Sequence, residues 1–260
     1  MIVGINFADK KWRRAQILNT WSMKHKGKID KIIEYSPGDI DEQFQKDNAE
    51  LLSVKRGYGY WLWKPYFINK TLKSLNAGDY LFYCDSGAVV LNNIQLLVDA
   101  LEETNQDVMC FSLTLKERLY SKRDAFIILD CDSSEYYETN QRLGGYILMR
   151  KTSETEILCS EWLQYATDSR IISDDPNALG EDNYYGFIEN RHDQTIWSLL
   201  TKKHNINPFR DPSQFGTDKS AYDDSINARS NYPMMIDSHR SKKPKYWFEY
   251  KLMRMKNPIE

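Results

Sequence analysis

The chain has 260 residues, of which 35 are Lys or Arg and 37 are Asp or Glu, so that its formal net charge is −2. This balance argues against a protein that coats nucleic acid, and 41% apolar with 28% charged residues is a globular composition rather than a disordered one. No stretch approaches 18 uninterrupted apolar residues, which argues against a membrane-spanning helix.

Apolar periodicity predicts strands that alternate with helices along the chain. We predict strands at 2–7, 31–35, 79–84, 107–113, 144–149 and 234–236. We predict helices at 10–26, 39–54, 57–75, 92–103, 153–167, 191–203 and 245–255. The polar stretches 170–190 and 205–230 are predicted to be long loops. The alternation predicts an α/β layered fold with a mostly parallel sheet, in one domain over 1–260 that ends in a basic, aromatic segment at 240–260.

Cysteine spacing and the order of the first residues bear on the compartment. The four cysteines (Cys84, Cys110, Cys131 and Cys159) are too far apart for a CxxC zinc pair, and we expect them to be small buried side chains in a reducing compartment. The first apolar run precedes its basic residues, which is the reverse of a signal peptide. We therefore expect a cytoplasmic protein.

One candidate site residue directly follows a predicted strand. Asp85 comes at the end of the strand at 79–84 and is followed by Ser86 and Gly87. Ligands of open α/β sheets bind outside the carboxyl ends of strands, and a carboxylate there suits a hard divalent cation. An Asp that simply opens a turn, with Gly87 supplying the turn geometry, is the plainer interpretation of this stretch alone.

Two further stretches have residue types suited to chemistry. Asp193 and Gln194 fall in the first turn of a predicted helix, where an acid is favoured by the helix dipole. His239 follows a short predicted strand and could ligate a metal, and Lys242 and Lys243 next to it suit phosphate oxygens. A solvated helix turn and a basic surface tail are the plain alternatives.

The order of these stretches resembles that of GT-A glycosyltransferases, most nearly glycosyltransferase family 8 and bacterial polysaccharide and lipopolysaccharide glycosyltransferases. Residues 83–87 stand where that family has Asp-x-Asp, and Leu143-Gly144-Gly145 resembles its Asn-Ala-Gly strand. Asp193-Gln194 is similar to its Asp-Gln helix, and residues 239–247 resemble its C-terminal His-x-x-Gly-x-x-Lys-Pro-Trp segment. The stretch 57–65 is similar to one in bacterial polysaccharide glycosyltransferases.

The resemblance implies transfer of a sugar from a nucleoside-diphosphate sugar to a glycan or lipid-linked hydroxyl in bacterial surface polysaccharide synthesis, with Mn²⁺ or Mg²⁺ as cofactor. The roles it implies are catalytic for Asp193 and Gln194, donor-binding for Lys64, Asp85, Ser86 and Lys243, acceptor-binding for Gly144 and Gly145, and metal-ligating for Asp85 and His239.

The chain departs from the family pattern at the metal. Gly87 replaces the second Asp of Asp-x-Asp, and the segment after His239 lacks its Gly. Catalysis without a metal, using Lys64 and Lys243, is the alternative. The resemblance favours retention of the anomeric configuration, with Gln194 near the reacting carbon, whereas inversion needs a carboxylate base. Asp193 is the first choice for that base, ahead of Glu181 and Asp182.

Two open questions concern partners and function class. The basic, aromatic stretch 246–256 either packs as an ordinary helix or rests on the anionic inner face of a membrane, which would suit a lipid-linked acceptor.

A non-catalytic carbohydrate-binding protein, with aromatics at 58–67 stacking on sugars, is one rival function. A sugar nucleotidyltransferase is the other, although the first strand is not followed by the Gly-rich loop typical of that class. A Rossmann dehydrogenase is excluded because GxGxxG is missing after that strand.

Overall fold

A computed structural model of the chain describes residues 1–242. Its strands are β1 (Ile2–Phe7), β2 (Lys31–Tyr35), β3 (Tyr80–Cys84), β4 (Val89–Val90), β5 (Val108–Lys116), β6 (Asn140–Arg150), β7 (Phe209–Arg210) and β8 (Ile236–Asp237). Its helices are α1 (Arg13–His25), α2 (Glu42–Asp47), α3 (Ala49–Leu52), α4 (Gly57–Tyr60), α5 (Trp63–Ser74), α6 (Gln95–Glu102), α7 (Glu117–Tyr120), α8 (Arg123–Ile128), α9 (Ser134–Tyr137), α10 (Ser153–Ala166), α11 (Ser169–Ile172), α12 (Asp193–Lys203) and α13 (Asp224–Arg229).

Within the described residues the main sheet has six strands in the order β2-β1-β3-β6-β5-β7. β1 pairs in parallel with β2 and β3, and β5 pairs in parallel with β7. β6 lies between β3 and β5 and is antiparallel to both. Five strands of this sheet therefore run in one direction, which confirms the prediction of an α/β fold with a mostly parallel sheet.

The central strands are buried on both faces. Along β3, Leu81 and Tyr83 join the apolar cluster on one side of the sheet, while Tyr80, Phe82 and Cys84 join the cluster on the other. This alternation is the two-residue period of a strand, and burial on both faces explains why β3, and β1 apart from Asn6, are apolar. Helices α5, α10 and α12 contribute to the first cluster, so they cover the same face. All four cysteines are buried and free, as expected.

A second, two-stranded sheet brings a late segment beside the end of β3. β4 follows β3 after one turn, and it pairs antiparallel with β8. The predicted strand at 234–236 thus begins later, at Ile236. Because β8 is fixed there, residues 238–242 continue past the turn at 85–87. Lys243 and the predicted helix at 245–255 lie outside the described residues.

The predicted helix at 57–75 is wrong in its first turn. Residues 57–61 all have positive φ angles, between 52° and 82°, so α4 is a left-handed turn and the right-handed helix α5 begins at Trp63. Left-handed backbone costs about 1–2 kcal/mol per residue with a side chain. Gly57 avoids this cost, and any Cβ there would lie 2.3 Å from the Trp61 ring. The left-handed turn presents Tyr58 and Trp61 to one side and starts α5 one residue before Lys64.

Other boundaries differ for local reasons. The predicted helix at 39–54 begins later, because Asp41 rather than Asp39 caps its first turn by accepting the amide hydrogens of Gln43 and Phe44. It is divided into two short helices at Asn48, whose backbone is not helical. The predicted strand at 144–149 is longer and begins at Asn140. The predicted loop at 205–230 contains β7 and α13. Over residues 1–242, helices long and apolar enough to cross a membrane are absent.

Candidate active site

A cavity of about 530 Å³ opens at the carboxyl ends of β1 and β3. Its walls come from the residues after β1, the turn at 85–87, the left-handed turn, the loop and first residues of α12, and the segment 238–242. This is the edge of an open α/β sheet where ligands bind. It brings together Lys64, Asp85, Ser86, Asp193 and Gln194, which the sequence had singled out separately.

Lys64 lies at the centre of the cluster, and its side chain is only 4% exposed. Its ammonium nitrogen is 2.8 Å from Oδ2 of Asp193 and 3.8 Å from Oδ1 of Asp85, and it donates a 3.0 Å hydrogen bond to the carbonyl of Gly144. Burial alone would lower the pKa of Lys64, but the attraction of Asp193 and Asp85 outweighs it and raises that pKa. Lys64 is therefore a fixed buried cation rather than a surface lysine.

Asp193 is the first residue of α12, and its side chain is 4% exposed. Burial raises its pKa to about 6, although the ammonium of Lys64 acts in the opposite direction. A carboxyl group with a pKa near the working pH can exchange a proton during a reaction. Asp193 therefore has the properties of an acid–base group, held in place by Lys64.

Asp85 is the more accessible carboxylate, with a side chain that is 43% exposed. It accepts a short hydrogen bond from the hydroxyl of Tyr83, whose pKa is raised well above its ordinary value by burial and by Asp85. Tyr83 therefore stays protonated and donates. The Ser86 hydroxyl donates to the carbonyl of Phe7 at 2.6 Å, which ties the turn to the end of β1.

Gln194 is oriented by a buried chain of hydrogen bonds. Its Oε1 accepts from the amide of Gly144 at 2.9 Å, and its Nε2 donates to Oε1 of Gln141 at 2.8 Å. Nε2 of Gln141 donates in turn to the buried carboxylate of Glu117 at 3.0 Å. Because an ionised carboxylate only accepts hydrogen bonds, Glu117 fixes which way both amides face. The sequence carries no motif for Glu117 or Gln141, and sequence reasoning missed both.

The two glycines of β6 hold different positions. Gly144 has its amide bound to Gln194 and its carbonyl bound to Lys64, so its main chain is engaged within the protein. Gly145 lines the cavity, and its carbonyl accepts from the amide of Asp85 at 2.8 Å. Only Gly145 therefore faces the space that a ligand would occupy.

The residues described do not fit a divalent-cation site. Across residues 1–242, groups of three His, Cys, Asp or Glu side chains that could hold a metal are absent. Of the expected pair, Asp85 lines the cavity, while His239 does not line it and accepts a 2.9 Å hydrogen bond at Nδ1 from the amide of Ser241. Asp193, the carboxylate that shares Lys64 with Asp85, is bound to that ammonium at 2.8 Å. The alternative bases Glu181 and Asp182 do not line the cavity either.

Basic side chains surround the mouth of the cavity. We call this set the basic rim: Lys11, Lys55, Arg56, Arg191, Arg240 and Lys242. The acids that line the cavity beside Asp85 and Asp193 are Asp9 and Glu189. The sequence had pointed to Lys242 through its neighbour His239, whereas the other members come from loops whose convergence needs the fold.

Aromatic rings form one wall. Trp12, Tyr58, Trp61 and Trp63 line the cavity, and the Trp63 ring stacks on Phe7 with centroids 4.0 Å apart. His192 stacks on Trp61 with centroids 5.3 Å apart, and burial lowers its pKa. Part of the aromatic cluster seen in the sequence at 58–67 thus faces the cavity, and part is core.

No protein-family model matches the chain, and a search of curated proteins found no match either. Among solved structures, mouse xyloside xylosyltransferase 1 has a TM-score of 0.51 at 10% identity, covering 94% of this chain and 99% of its own. The galactosyltransferase LgtC, solved with donor and acceptor sugar analogues, has a TM-score of 0.51 at 13% identity, covering 100% and 97%. The bifunctional glycosyltransferase WbbM has a TM-score of 0.50 at 11% identity, covering 98% of this chain and 52% of its own. These likenesses show that the chain has the GT-A fold that its sequence resemblance predicted.

Proposed function

We propose that the protein is a glycosyltransferase that moves a sugar from a nucleoside-diphosphate sugar to a hydroxyl of a glycan or lipid-linked acceptor. The observation that carries this proposal is the convergence of Lys64, Asp85 and Asp193 at the carboxyl ends of β1 and β3, in a GT-A fold. The cavity volume of about 530 Å³ is in the range of small-molecule sites.

The donor fits the charges of the cavity. A diphosphate is an anion, and the basic rim offers cations at the mouth of the cavity. The Asp85 carboxylate is exposed enough to accept hydrogen bonds from sugar or ribose hydroxyls, and Tyr83 holds it in place. Ser86 supports this position through its bond to β1. We therefore place the diphosphate at the rim and the hydroxyls at Asp85.

In the transfer step, the bond between the anomeric carbon and the β-phosphate oxygen breaks, and its electron pair stays on that oxygen. The acceptor oxygen bonds the anomeric carbon, and its proton passes to the departing phosphate and from there to water. Negative charge grows on the leaving diphosphate in the transition state. Positive charge fixed near the diphosphate therefore lowers the barrier. The nucleoside diphosphate leaves carrying the additional negative charge.

Gln194 and Asp193 are the proposed catalytic residues. Retention places Gln194 beside the reacting carbon, with its Oε1 held by the amide of Gly144. LgtC offers a parallel, since one of its solved structures is an active-site mutant that replaces a glutamine by glutamate. Inversion would instead use Asp193 as base, which its pKa of about 6 suits. We propose retention. Anomer-resolved NMR of the product tests it, and an inverted anomer would transfer the role to Asp193.

The acceptor is proposed to approach past Gly145, the β6 glycine that lines the cavity. Its chemical class follows from the resemblance, which implies bacterial surface polysaccharide synthesis. A lipid-linked acceptor would be reached most easily if the segment 246–256 rested on a membrane. Liposome flotation of the full chain and of a chain ending at residue 244 tests this, and equal flotation would remove the membrane from the proposal.

The transferase proposal is tested by nucleotide release. Purified protein is incubated with UDP-, GDP-, CDP- and dTDP-sugars and a panel of glycan acceptors, and free nucleoside diphosphate is measured. We expect release from donors of one base, and a loss on the order of 100-fold in Asp85→Asn, since the site loses a charged acceptor. Asp99→Asn, an exposed Asp on α6, is the matched control and should keep full activity.

The same panel separates the rival functions. A carbohydrate-binding protein would bind glycan without releasing nucleotide from any donor. A nucleotidyltransferase would release pyrophosphate from a nucleoside triphosphate and a sugar phosphate. Either result would overturn the transferase proposal.

A further inference from the structure

Gly87, which stands where the family pattern has a second carboxylate, is also the residue at which the segment 238–242 meets the site. The amide of Arg240 donates a 2.8 Å hydrogen bond to the carbonyl of Gly87. A Cβ on Gly87 would lie 3.3 Å from Cα of Arg240 and 3.4 Å from the ring of Trp12. The missing side chain thus lets the segment lie directly on the turn that carries Asp85.

This segment is anchored on two sides. β8 pairs with β4 just before it, with Asp237 opposite Val89. The side chain of Gln214 then makes two bonds to the main chain of Ser238, at 2.9 and 3.0 Å. Hydrogen bonds to the main chain before, at and after Ser238 therefore hold the segment. They fix the backbone positions from which its side chains extend.

Two members of the basic rim extend from this anchored segment beside aromatic rings. The Arg240 guanidinium lies 5.3 Å from the centre of the Phe215 ring, and the Lys242 ammonium lies 5.6 Å from that of Trp12. Both line the cavity, and both residues are exposed. Cations at such distances are attracted to the ring faces, which favours one position of each side chain over the others it could adopt.

The interior of the site already contains a cation. Mg²⁺ and related hard ions need about six oxygen ligands. The carboxylate of Asp193 is bound to Lys64 at 2.8 Å, and Asp85 is 3.8 Å from the same ammonium. A divalent ion bound to Asp85 would therefore lie close to a buried positive charge and would have few other carboxylate oxygens near it. The repulsion between the two cations opposes metal binding at this place.

We propose that the site binds a nucleoside-diphosphate sugar and completes its transfer without a divalent cation, with Arg240 and Lys242 neutralising the diphosphate. This inference rests on the proposed function. Gly87 removes one family ligand and admits the two basic side chains that replace the metal charge. Lys64 acts as a positioning residue that holds Asp85 and Asp193, and the diphosphate contacts the rim.

The test measures binding and turnover with and without metal. The full chain is dialysed against EDTA, and its thermal shift with UDP, GDP, CDP, ADP and dTDP is recorded in EDTA and in MnCl₂. Nucleotide release from the matching donor sugars is measured in the same two buffers. We expect the shift and the release rate to agree within about twofold between the buffers, since charge is supplied by side chains.

Each other outcome has a distinct meaning. A response in MnCl₂ alone overturns the metal-free site and leaves the transferase proposal intact. No response to any nucleotide or donor in either buffer overturns the proposed function, and the inference falls with it.

Variants test which residues carry the charge. In EDTA, Arg240→Gln/Lys242→Gln should weaken nucleotide binding at least tenfold by calorimetry, while its melting temperature stays unchanged. Arg14→Gln/Lys46→Gln, which removes two exposed basic residues outside the cavity lining, is the control and should bind like the parent chain. Unchanged nucleotide affinity in Arg240→Gln/Lys242→Gln would contradict the proposal that these two side chains neutralise the diphosphate.

A second pair of variants tests Gly87. Gly87→Ala and Gly87→Asp both add a Cβ next to Arg240, but only the second returns the carboxylate. We expect Gly87→Asp to bind nucleotide at least tenfold more weakly than Gly87→Ala in EDTA, because the carboxylate is repelled by the diphosphate and attracts the rim cations. Equal binding by the two variants in EDTA would contradict the proposal.

Discussion

Lys64 and Asp193, which form the inner cluster of the site, and the residues of the basic rim are all charged, but the protein holds them in opposite ways. In the inner cluster, Lys64 and Asp193 are each 4% exposed and lie 2.8 Å apart on separate helices. In the basic rim, Arg240 and Lys242 are exposed and extend from a loop segment. Charges that are buried and paired fix the shape of a site, whereas charges at a surface are available to a ligand. The two regions should therefore respond to different perturbations.

The largest expected effect is on stability, in the inner cluster. Lys64→Met removes one partner of a buried ion pair and leaves Asp193 buried without its cation. Such a change costs about 3–5 kcal/mol in the free energy of unfolding, measured by urea denaturation. Lys70→Met, an exposed lysine on the same helix, is the control and should stay within about 0.5 kcal/mol of the parent chain. If Lys64→Met stayed within 1 kcal/mol as well, the inner cluster would not be a stabilising pair.

The next effect is on pH dependence. The pKa of Asp193 is raised from 3.8 to about 6 in the folded chain, so the folded state binds this proton more tightly than the unfolded state. The contribution of Asp193 to stability is therefore largest below about pH 4, declines as pH rises toward 6, and is constant above it. Relative to the parent chain, Asp193→Asn should gain on the order of 2–3 kcal/mol of unfolding free energy between pH 4 and pH 6.5.

Urea denaturation at half-unit pH steps measures this difference directly. Asp99→Asn serves again as the control, because it is an exposed Asp. The unfolding free energies of Asp193→Asn and the parent chain are compared between pH 4 and pH 6.5. If their difference stayed constant over this range, Asp193 would have an ordinary pKa, which would argue against Asp193 as a base.

The smallest effect belongs to the basic rim. Raising NaCl from 50 to 500 mM shortens the screening length from about 14 Å to about 4 Å, which weakens attraction between exposed charges and a diphosphate. We expect nucleoside diphosphate affinity, measured by calorimetry, to fall about five- to tenfold. The stability difference between Lys64→Met and the parent chain should change by less than about 0.5 kcal/mol over the same range, because the pair is buried. If salt changed the nucleotide affinity and this stability difference by equal free energies, the distinction between the two regions would be contradicted.

Sequence patterns predicted the strands better than the turns. β1 has the predicted bounds because its mostly apolar run is that of a buried strand. β2 also has the predicted bounds, although its side chains are exposed or only partly buried. The turn at 57–61 could not be predicted as left-handed, since a run of aromatics after two glycines also fits a helix. The antiparallel direction of β6 could not be predicted either, because the apolar pattern of a strand is the same in both orientations.

The candidate site was predicted in part, for a related reason. Asp85, Asp193 and Gln194 stand at element ends, where sequence alone marks them, and the fold brings them to one cavity. Glu117 and Gln141 act through hydrogen bonds to residues far along the chain, and nothing near them in sequence signals this. The role of Gly87 likewise depends on Arg240, which lies 153 positions later and meets it only in the folded chain.

The place of β6 has a consequence for how the protein is made. β6 joins β3 to β5 but follows both in the chain, so a chain that stops before residue 140 has two strands with open hydrogen-bonding edges. The same strand supplies the Gly144 carbonyl to which Lys64 donates. β6 therefore both joins the two parts of the sheet and supplies a bonding partner to the inner cluster. During synthesis, the open edges of β3 and β5 that face β6 should be lost once β6 has left the ribosome, whereas the ability to bind nucleotide should appear only after Asp193 and the segment 238–242 have followed it.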